Sequence, residues 1–471
     1  MIFPAQTSMI PVQIALARFF EQNGISSFVQ NYPYWYLGTT PFRFLTGPVL
    51  PLVLTAIRSF FPSLSLFEVM LWLVGVMWLV GGVGVYALVK ELGERRLLAG
   101  SASFFYIFGP IIPFLFRFSD GLYLIAFSLL PFTLLVYLRL LRHWSRKQAT
   151  LFVILASFLM LLDTSILPTF LLGVVAILLS VSGWKKIEER LKKTSLLLAA
   201  SFVVVTFWYT PSYWLTLLGA PSFAGKSLFS IIIWLGKLIP LALAVSLAIF
   251  SGRFFREKRS FRDFCFYWLF FFGFLTLLRF LSNPSFWLDW SEYGVQIQLG
   301  FALLGSLLAN RFCPNRRICL LSAFIPVFVL WLFVFSRYVT GTLQKDLSGT
   351  IEYQTGNELK GLVQPQELVF ASGSTAFWLN SLFDVRQVRG GVDQVSLHPT
   401  WRQAAWEIRE GEDVDRTIAW LGKLKISYVL VHASVSKEYY HDFRYPQKFE
   451  GSHTLRNVFS GDGDNIYRYQ R

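Results

Sequence analysis

The sequence predicts a polytopic α-helical membrane bundle of about ten transmembrane helices, followed by a small extracytoplasmic α/β domain, and three observations predict it. Mean hydropathy is +0.50, with 54% hydrophobic and only 15% charged residues over 471 positions, a balance that excludes an ordinary soluble protein. Apolar stretches long enough to cross, or nearly cross, a bilayer recur from Phe67 to Phe335. Lys and Arg crowd into every second gap between those stretches.

Residues 1–66 form a separate outer-face segment. Pro11 to Phe20 reads as a short amphipathic helix, and Leu45 to Phe61 is apolar but broken by Pro48 and Pro51, with Arg58 inside it. Both read as interfacial or re-entrant helices. No charged n-region leading into an apolar h-region is present to export the segment. The expectation is therefore that a membrane span precedes Met1 in the complete protein.

Residues 67–335 form the transmembrane domain. Its apolar stretches are Phe67 to Val89, Leu97 to Phe116, Leu122 to Leu138, Thr150 to Leu162, Ile166 to Val181, Ser195 to Tyr209, Leu228 to Phe250, Phe264 to Leu281, Tyr293 to Leu308 and Ile318 to Phe335. Pro110, Pro113, Pro131, Pro168 and Pro240 fall within them and predict kinks or early ends. The basic gaps include Arg95 and Arg96, Arg142 and Arg146, Lys185 and Lys186, Arg256 and Lys258, and Arg316 and Arg317, while the gaps between hold only Arg117 and Lys226. Short loops rich in Lys and Arg stay in the cytoplasm. That places the poorer loops, and any chemistry, on the outer face of a plasma membrane, with the C-terminal domain outside.

Residues 336–471 form the α/β domain. Leu368 to Ala371 and Ile426 to His432 read as buried strands, Asp413 to Leu424 as a helix leading into the second, and Ile466 to Tyr469 as a closing strand. Sixteen basic and sixteen acidic residues lie from Ser336 onward, so the whole formal excess of +15 belongs to the membrane part. It is an orientation signal and leaves no footprint for nucleic acid. Cys265, Cys313 and Cys319 fall at cytoplasmic helix ends and are expected to be reduced thiols.

At Tyr32 to Pro48 (YPYWYLGTTPFRFLTGP), Phe207 to Gly225 (FWYTPSYWLTLLGAPSFAG) and Val388 to Gln394 (VRGGVDQ) the chain resembles bacterial and archaeal polytopic proteins within the C-type (GT-C) membrane glycosyltransferase fold. Members of that group are often labelled as related to 6-pyruvoyl-tetrahydropterin synthase. The pterin chemistry needs a zinc site with clustered histidines, and His143, His398, His432, His441 and His453 are scattered. The GT-C resemblance implies a sugar taken from a polyprenyl-phosphate carrier at the outer leaflet, with a carboxylate of the first outer loop as base or metal ligand. Residues 1–66 hold one acid, Glu21, and have Gln6, Thr7 and Ser8 where the resemblance would place an Asp.

Several outer residues are candidates for chemistry. Asp120 is a candidate catalytic group, suited to activate an acceptor hydroxyl or hold a divalent cation, with Arg117 beside it in the turn FRFSDG for a lipid phosphate. Asp163, between two apolar segments, is either a second catalytic carboxylate or the N-cap of the next helix. Lys237 and Arg279 are candidates for lipid phosphate or for snorkelling. Asp289 and Glu292 among aromatic residues, and Trp35, Tyr213 and Trp214, suit a sugar or an interfacial aromatic belt equally. Gly390 and Gly391 precede Asp393 as a turn, not a nucleotide loop.

Two functions follow. The first is transfer of a sugar from polyprenyl phosphate to a glycan, lipid or protein acceptor. The second, favoured by the missing first-loop Asp, is a non-catalytic relative that assembles or handles lipid-linked glycans. A transporter would need polar residues near the midplane, and Lys237 is nearly alone there.

Overall fold

The computed structural model describes residues 3–4, 9–35, 38, 47–111, 113, 121–181, 184–211, 213–215, 259–281, 290–312, 316–340, 343–390, 400–438 and 440–470. The chain divides into two compact units, Met1–Leu71 with Thr342–Arg471, and Trp72–Gly341.

In the first unit, α1 (Met9–Asn23) and α2 (Val49–Phe60) precede the start of α3 (Leu66–Glu91). Ser65 begins α3 with a reciprocal cap: its N–H donates to Glu68 Oε2 at 2.9 Å while the Glu68 N–H donates to Ser65 Oγ at 3.2 Å. The C-terminal part carries a four-stranded sheet in the order β3-β4-β6-β5. Here β3 (Leu368–Phe370) runs parallel to β4 (Ile426–His432), and β6 (Asp464–Tyr469) is antiparallel to both β4 and β5 (Leu455–Gly461). Asp413 caps α14 (Val414–Lys423), accepting from the Asp415 N–H at 2.9 Å. Leu359 of α12 (Ile351–Leu362), Val369, Leu379 of α13 (Thr375–Leu382), Leu430 and Ile466 close the core over the sheet.

The N-terminal residues are built into this α/β domain. A short antiparallel pair joins β1 (Phe3–Pro4) to β2 (Leu343–Gln344), and α1 packs on α13 and α2. Val12, Ile14, Ala15 and Leu16 are buried there. Where the sequence pattern suggested an interfacial helix, the structure covers the apolar face of α1 with protein. An amphipathic face looks the same in sequence whether lipid or another helix covers it.

The second unit is helical: α3 continues into it, followed by α4 (Arg96–Ile107), α5 (Gly121–Arg142), α6 (Arg146–Leu162), α7 (Leu167–Val181), α8 (Trp184–Val205), α9 (Arg259–Leu281), α10 (Trp290–Phe312) and α11 (Arg316–Val334). Among the described residues three helical stretches are long and apolar enough to cross a membrane, Leu66–Glu91, Leu122–Arg142 and Thr164–Val181. Ten crossings are therefore not shown among the described residues. The helices take in polar ends that the apolar stretches omit, as where α8 opens on WKKIEERLKK, and α4 stops at Ile107 ahead of Gly109 and Pro110. The stretch from Leu228 to Phe250 lies outside the described residues. Pro168 falls in the first turn of α7, where its missing N–H costs nothing, whereas α5 continues through Pro131.

Small residues and buried hydrogen bonds hold this unit together. A Cβ on Gly84 of α3 would come within 2.8 Å of the Phe132 ring on α5, so glycine permits the close approach. Gln296 of α10 donates through Nε2 to Thr169 Oγ1 of α7 at 2.8 Å and also to the Tyr123 hydroxyl of α5. Trp268 of α9 donates to the Gln296 carbonyl at 2.9 Å. A buried polar group costs free energy unless paired, and these bonds fix the facing of the helices that supply them.

Candidate functional site

Asp163 sits where α6 ends and the chain turns extended, φ −153° and ψ 123°, before a short 3-10 turn, Thr164–Ile166, that leads into α7. Its Oδ1 accepts the Ser165 N–H at 2.9 Å, which is the N-cap arrangement. Its Oδ2 has no hydrogen-bond partner among the described residues, although the residue is only 5% exposed. One carboxylate oxygen is used to start a helix; the other is left open.

Two tyrosines near the Asp163 carboxylate come from the segment after α8. The Tyr213 hydroxyl meets Thr164 Oγ1 at 3.3 Å. Tyr209 is fully buried and its hydroxyl has no hydrogen-bond partner among the described residues. The Tyr209 and Tyr213 rings lie 4.7 Å apart, and Trp214 packs against both, at 5.6 and 5.2 Å. Both tyrosines lie in the field of the Asp163 carboxylate. An acceptor-only group beside two phenols and an indole can take hydrogen bonds from sugar hydroxyls, stack a sugar's apolar face, or accept a proton from an alcohol.

Three of the residues singled out in the sequence, Asp163, Tyr213 and Trp214, are therefore neighbours. Tyr209 joins them and was not singled out, because it closes an apolar stretch and its neighbourhood to Asp163 spans 46 residues of sequence. Arg117, Asp120, Lys237 and Asp289 lie outside the described residues, as do Gly391 and Asp393. Arg279 falls within α9 and Glu292 within α10, and only those helix positions are described. Trp35 belongs to the other unit, where it is fully buried and its indole N–H is engaged by Asn380. No group of three or more His, Cys, Asp or Glu suited to a metal ion occurs among the described residues.

A second polar cluster lies inside the α/β domain. His432, the last residue of β4, meets Asp464 Oδ1 through Nδ1 at 2.8 Å and the Ser372 carbonyl through Nε2 at 3.2 Å, with Glu438 Oε2 at 3.8 Å. Burial works against its positive charge, but the hydrogen bond to Asp464 and the fields of Glu438 and Asp464 outweigh it and raise its pKa above the ordinary value. The Ser374 hydroxyl faces Glu438 at 2.7 Å and Glu352 at 3.2 Å. Arg389 pairs with Asp442, which also accepts the Gly373 N–H at 3.0 Å. Burial pushes the Asp442 carboxyl up, and the Arg389 charge and hydrogen bond more than reverse this, leaving it below its usual value. Gly373 has φ +61°, and a Cβ there would press within 2.8 Å of Glu438. The cluster is sealed from solvent, with Glu438, Asp464 and His432 all buried. It is a structural joint of the domain. His432 stood apart from the other histidines in sequence because its partners are acids of distant segments.

Neither a family model nor a curated protein matches the sequence. Solved structures do match its fold. The arabinofuranosyltransferase AftD from Mycobacteria superposes with a TM-score of 0.57 at 16% identity, covering 99% of this chain, which spans 38% of AftD. ArnT from Cupriavidus metallidurans gives 0.55 at 12% identity, covering 99% of this chain and 94% of ArnT. The oligosaccharyltransferase of Archaeoglobus fulgidus gives 0.54 at 14%, covering 98% and 69%. ArnT has also been solved bound to undecaprenyl phosphate, and that form matches with a TM-score of 0.52 at 11% identity. Nothing in these comparisons supports the pterin-synthase label. At such identities the likeness is one of fold, shared with these glycosyltransferase structures.

Proposed function

We propose that this protein is a GT-C-type glycosyltransferase that takes a sugar from a polyprenyl-phosphate carrier at the outer leaflet and passes it to a glycan, lipid or protein acceptor. The observation that carries the reading is buried Asp163, whose Oδ2 has no partner among the described residues, with Tyr209 and Tyr213 in the field of its carboxylate and Tyr213 in contact with Thr164, in a chain that shares its fold with ArnT along 94% of ArnT's length. The basic loops, Arg142 and Lys186 among them, support a cytoplasmic placement on the opposite side and an extracytoplasmic C-terminal domain.

In this reading the acceptor hydroxyl donates to Asp163 Oδ2. As the acceptor oxygen forms its bond to the sugar's anomeric carbon, the bond from that carbon to the carrier phosphate breaks, the hydroxyl proton passes to Asp163, and polyprenyl phosphate leaves with the electron pair. Trp214 and the tyrosines hold the sugar by stacking and hydrogen bonds. The Ser165 cap fixes the carboxylate in place through Oδ1, so that Oδ2 is presented at a constant position.

One observation favours the second reading, a non-catalytic handler of lipid-linked glycans. Glu21, the single acid in residues 1–66, is paired with Arg58 at 2.7 Å, which leaves the first outer segment without an uncommitted carboxylate. The two readings separate in one assay. Membranes carrying the protein, supplied with radiolabelled polyprenyl-phosphate sugars, should produce a labelled acceptor, and Asp163→Asn should lower that rate by about 10²-fold or more with the fold retained. A wild-type protein that binds the carrier and transfers nothing would establish the second reading.

A further inference from the structure

The first unit contains a cavity of about 220 Å³ walled by α1 and α2 and the start of α3. Its lining includes Arg18, Arg58, Glu21 and Gln22, so two guanidiniums face it with one carboxylate. Arg58 donates to Glu21 at 2.7 Å, and the other N–H groups of its guanidinium have no protein partner among the described residues. Arg18 reaches the Asn380 carbonyl at 3.1 Å and Asp384 at 3.5 Å. An exposed guanidinium with spare donors beside a second one suits an oxyanion, and phosphate above all. The volume is that of several water molecules, enough for a phosphate with a short polyol.

Both helices that wall this cavity run out into exposed apolar side chains. After α1 come Ile25, 80% exposed, and Val29, 72% exposed; α2 ends at Phe60, 80% exposed, with Phe61, 58% exposed, next to it. Single exposed apolar residues need no explanation, but these four lie at or just beyond the helix ends that Arg58 and Glu21, both lining the pocket, join at 2.7 Å. A soluble anion would use the pocket and leave these side chains bare. A lipid with an anionic head uses both.

We propose that this cavity binds the phosphodiester head of an anionic phospholipid, with the acyl chains against Ile25, Val29, Phe60 and Phe61. A phosphodiester would take the Arg58 N–H groups that no described protein group uses. Glu21, an acceptor only, is placed to take a hydrogen bond from a head-group hydroxyl. A choline head would instead bring a quaternary ammonium next to two guanidiniums, with the one carboxylate already paired. The site is separate from Asp163, and the proposal stands or falls independently of glycosyl transfer.

The test is native mass spectrometry of the full-length protein in detergent, titrated with phosphatidylglycerol, phosphatidylcholine or soluble glycerol phosphate. The wild type should retain phosphatidylglycerol at least about tenfold more tightly than phosphatidylcholine, and Arg58→Gln should erase that preference. Glu21→Gln, which raises the net positive charge of the lining, should bind phosphatidylglycerol at least as tightly as the wild type. Phe60→Ser with Phe61→Ser should weaken phosphatidylglycerol binding and leave glycerol phosphate unaffected. A wild type indifferent to head group, an Arg58→Gln variant with its preference intact, or weaker binding by Glu21→Gln would each overturn the proposal. Glycerol phosphate bound as tightly as the lipid would overturn the assignment to lipid. The Glu21 variant keeps the test valid should Arg58→Gln fail to fold.

Discussion

The indole N–H of Trp35 donates to the side-chain oxygen of Asn380 across 2.9 Å and 345 residues of sequence. Gln387 donates to the same oxygen at 2.7 Å, and the Asn380 amide nitrogen donates to the carbonyls of Val385 and Phe383 at 2.7 and 3.2 Å. Every polar position of this buried amide is thereby occupied, and the N-terminal segment is tied to the α/β domain at its centre. Asn380→Asp should destabilise the domain by about 3 kcal/mol, because it turns two donors into an acceptor facing two carbonyls. The thermal unfolding of the purified protein measures this, and an unchanged midpoint would show the joint to be dispensable.

Gly390 lies against the same indole. Its φ is +120°, and a Cβ there would fall 2.5 Å from Trp35 Nε1. Gly390→Ala is expected to cost about 2 kcal/mol or more, from backbone strain and displacement of the ring together. Intrinsic tryptophan fluorescence should shift red as water reaches Trp35.

His432 predicts a pH dependence with a definite sign. Its pKa is raised in the folded domain, so its contribution is complete below the unfolded value of about 6.5 and is lost as pH rises through the folded one. Asp442, depressed by Arg389, acts oppositely: its contribution is present above about 3.9 and is lost as pH falls through the folded value. Hydrogen exchange at the β4 amides should therefore quicken toward alkaline pH beyond its intrinsic base catalysis. His432→Gln should remove that extra alkaline acceleration, and its persistence in the variant would assign it elsewhere.

Around Asp163, the conservative variant separates positioning from chemistry. Tyr209→Phe removes a hydroxyl with no partner among the described residues and should leave stability within about 0.5 kcal/mol of the wild type, while lowering transfer if that hydroxyl contacts the sugar. A stability loss without any change in transfer would make Tyr209 a packing residue only.

Gly84→Leu would drive a side chain into Phe132 and should destabilise the helical unit by about 1–3 kcal/mol. A wild-type melting point in detergent would show that α3 and α5 can separate at no cost.

Much of this protein was readable in the sequence because it depends on local rules. Hydropathy and its period marked α3, α5 and α7, the strand pattern gave β4 its bounds from Ile426 to His432, and Asp413 announced the helix it caps. The chemistry of Asp163 was readable as a pair of alternatives, cap or functional carboxylate; the structure shows one oxygen in the first role and leaves the second open. What only the tertiary structure decided are the relationships between distant segments: Trp35 against Asn380 and Gly390, Tyr209 beside Asp163, and the acids enclosing His432. No periodicity encodes such contacts, since a buried amide, phenol or imidazole gains its partners from whichever segment the packing brings to it. The same reason explains α1, whose apolar face is fixed by composition but whose covering, protein in place of lipid, is fixed by the helix that packs on it.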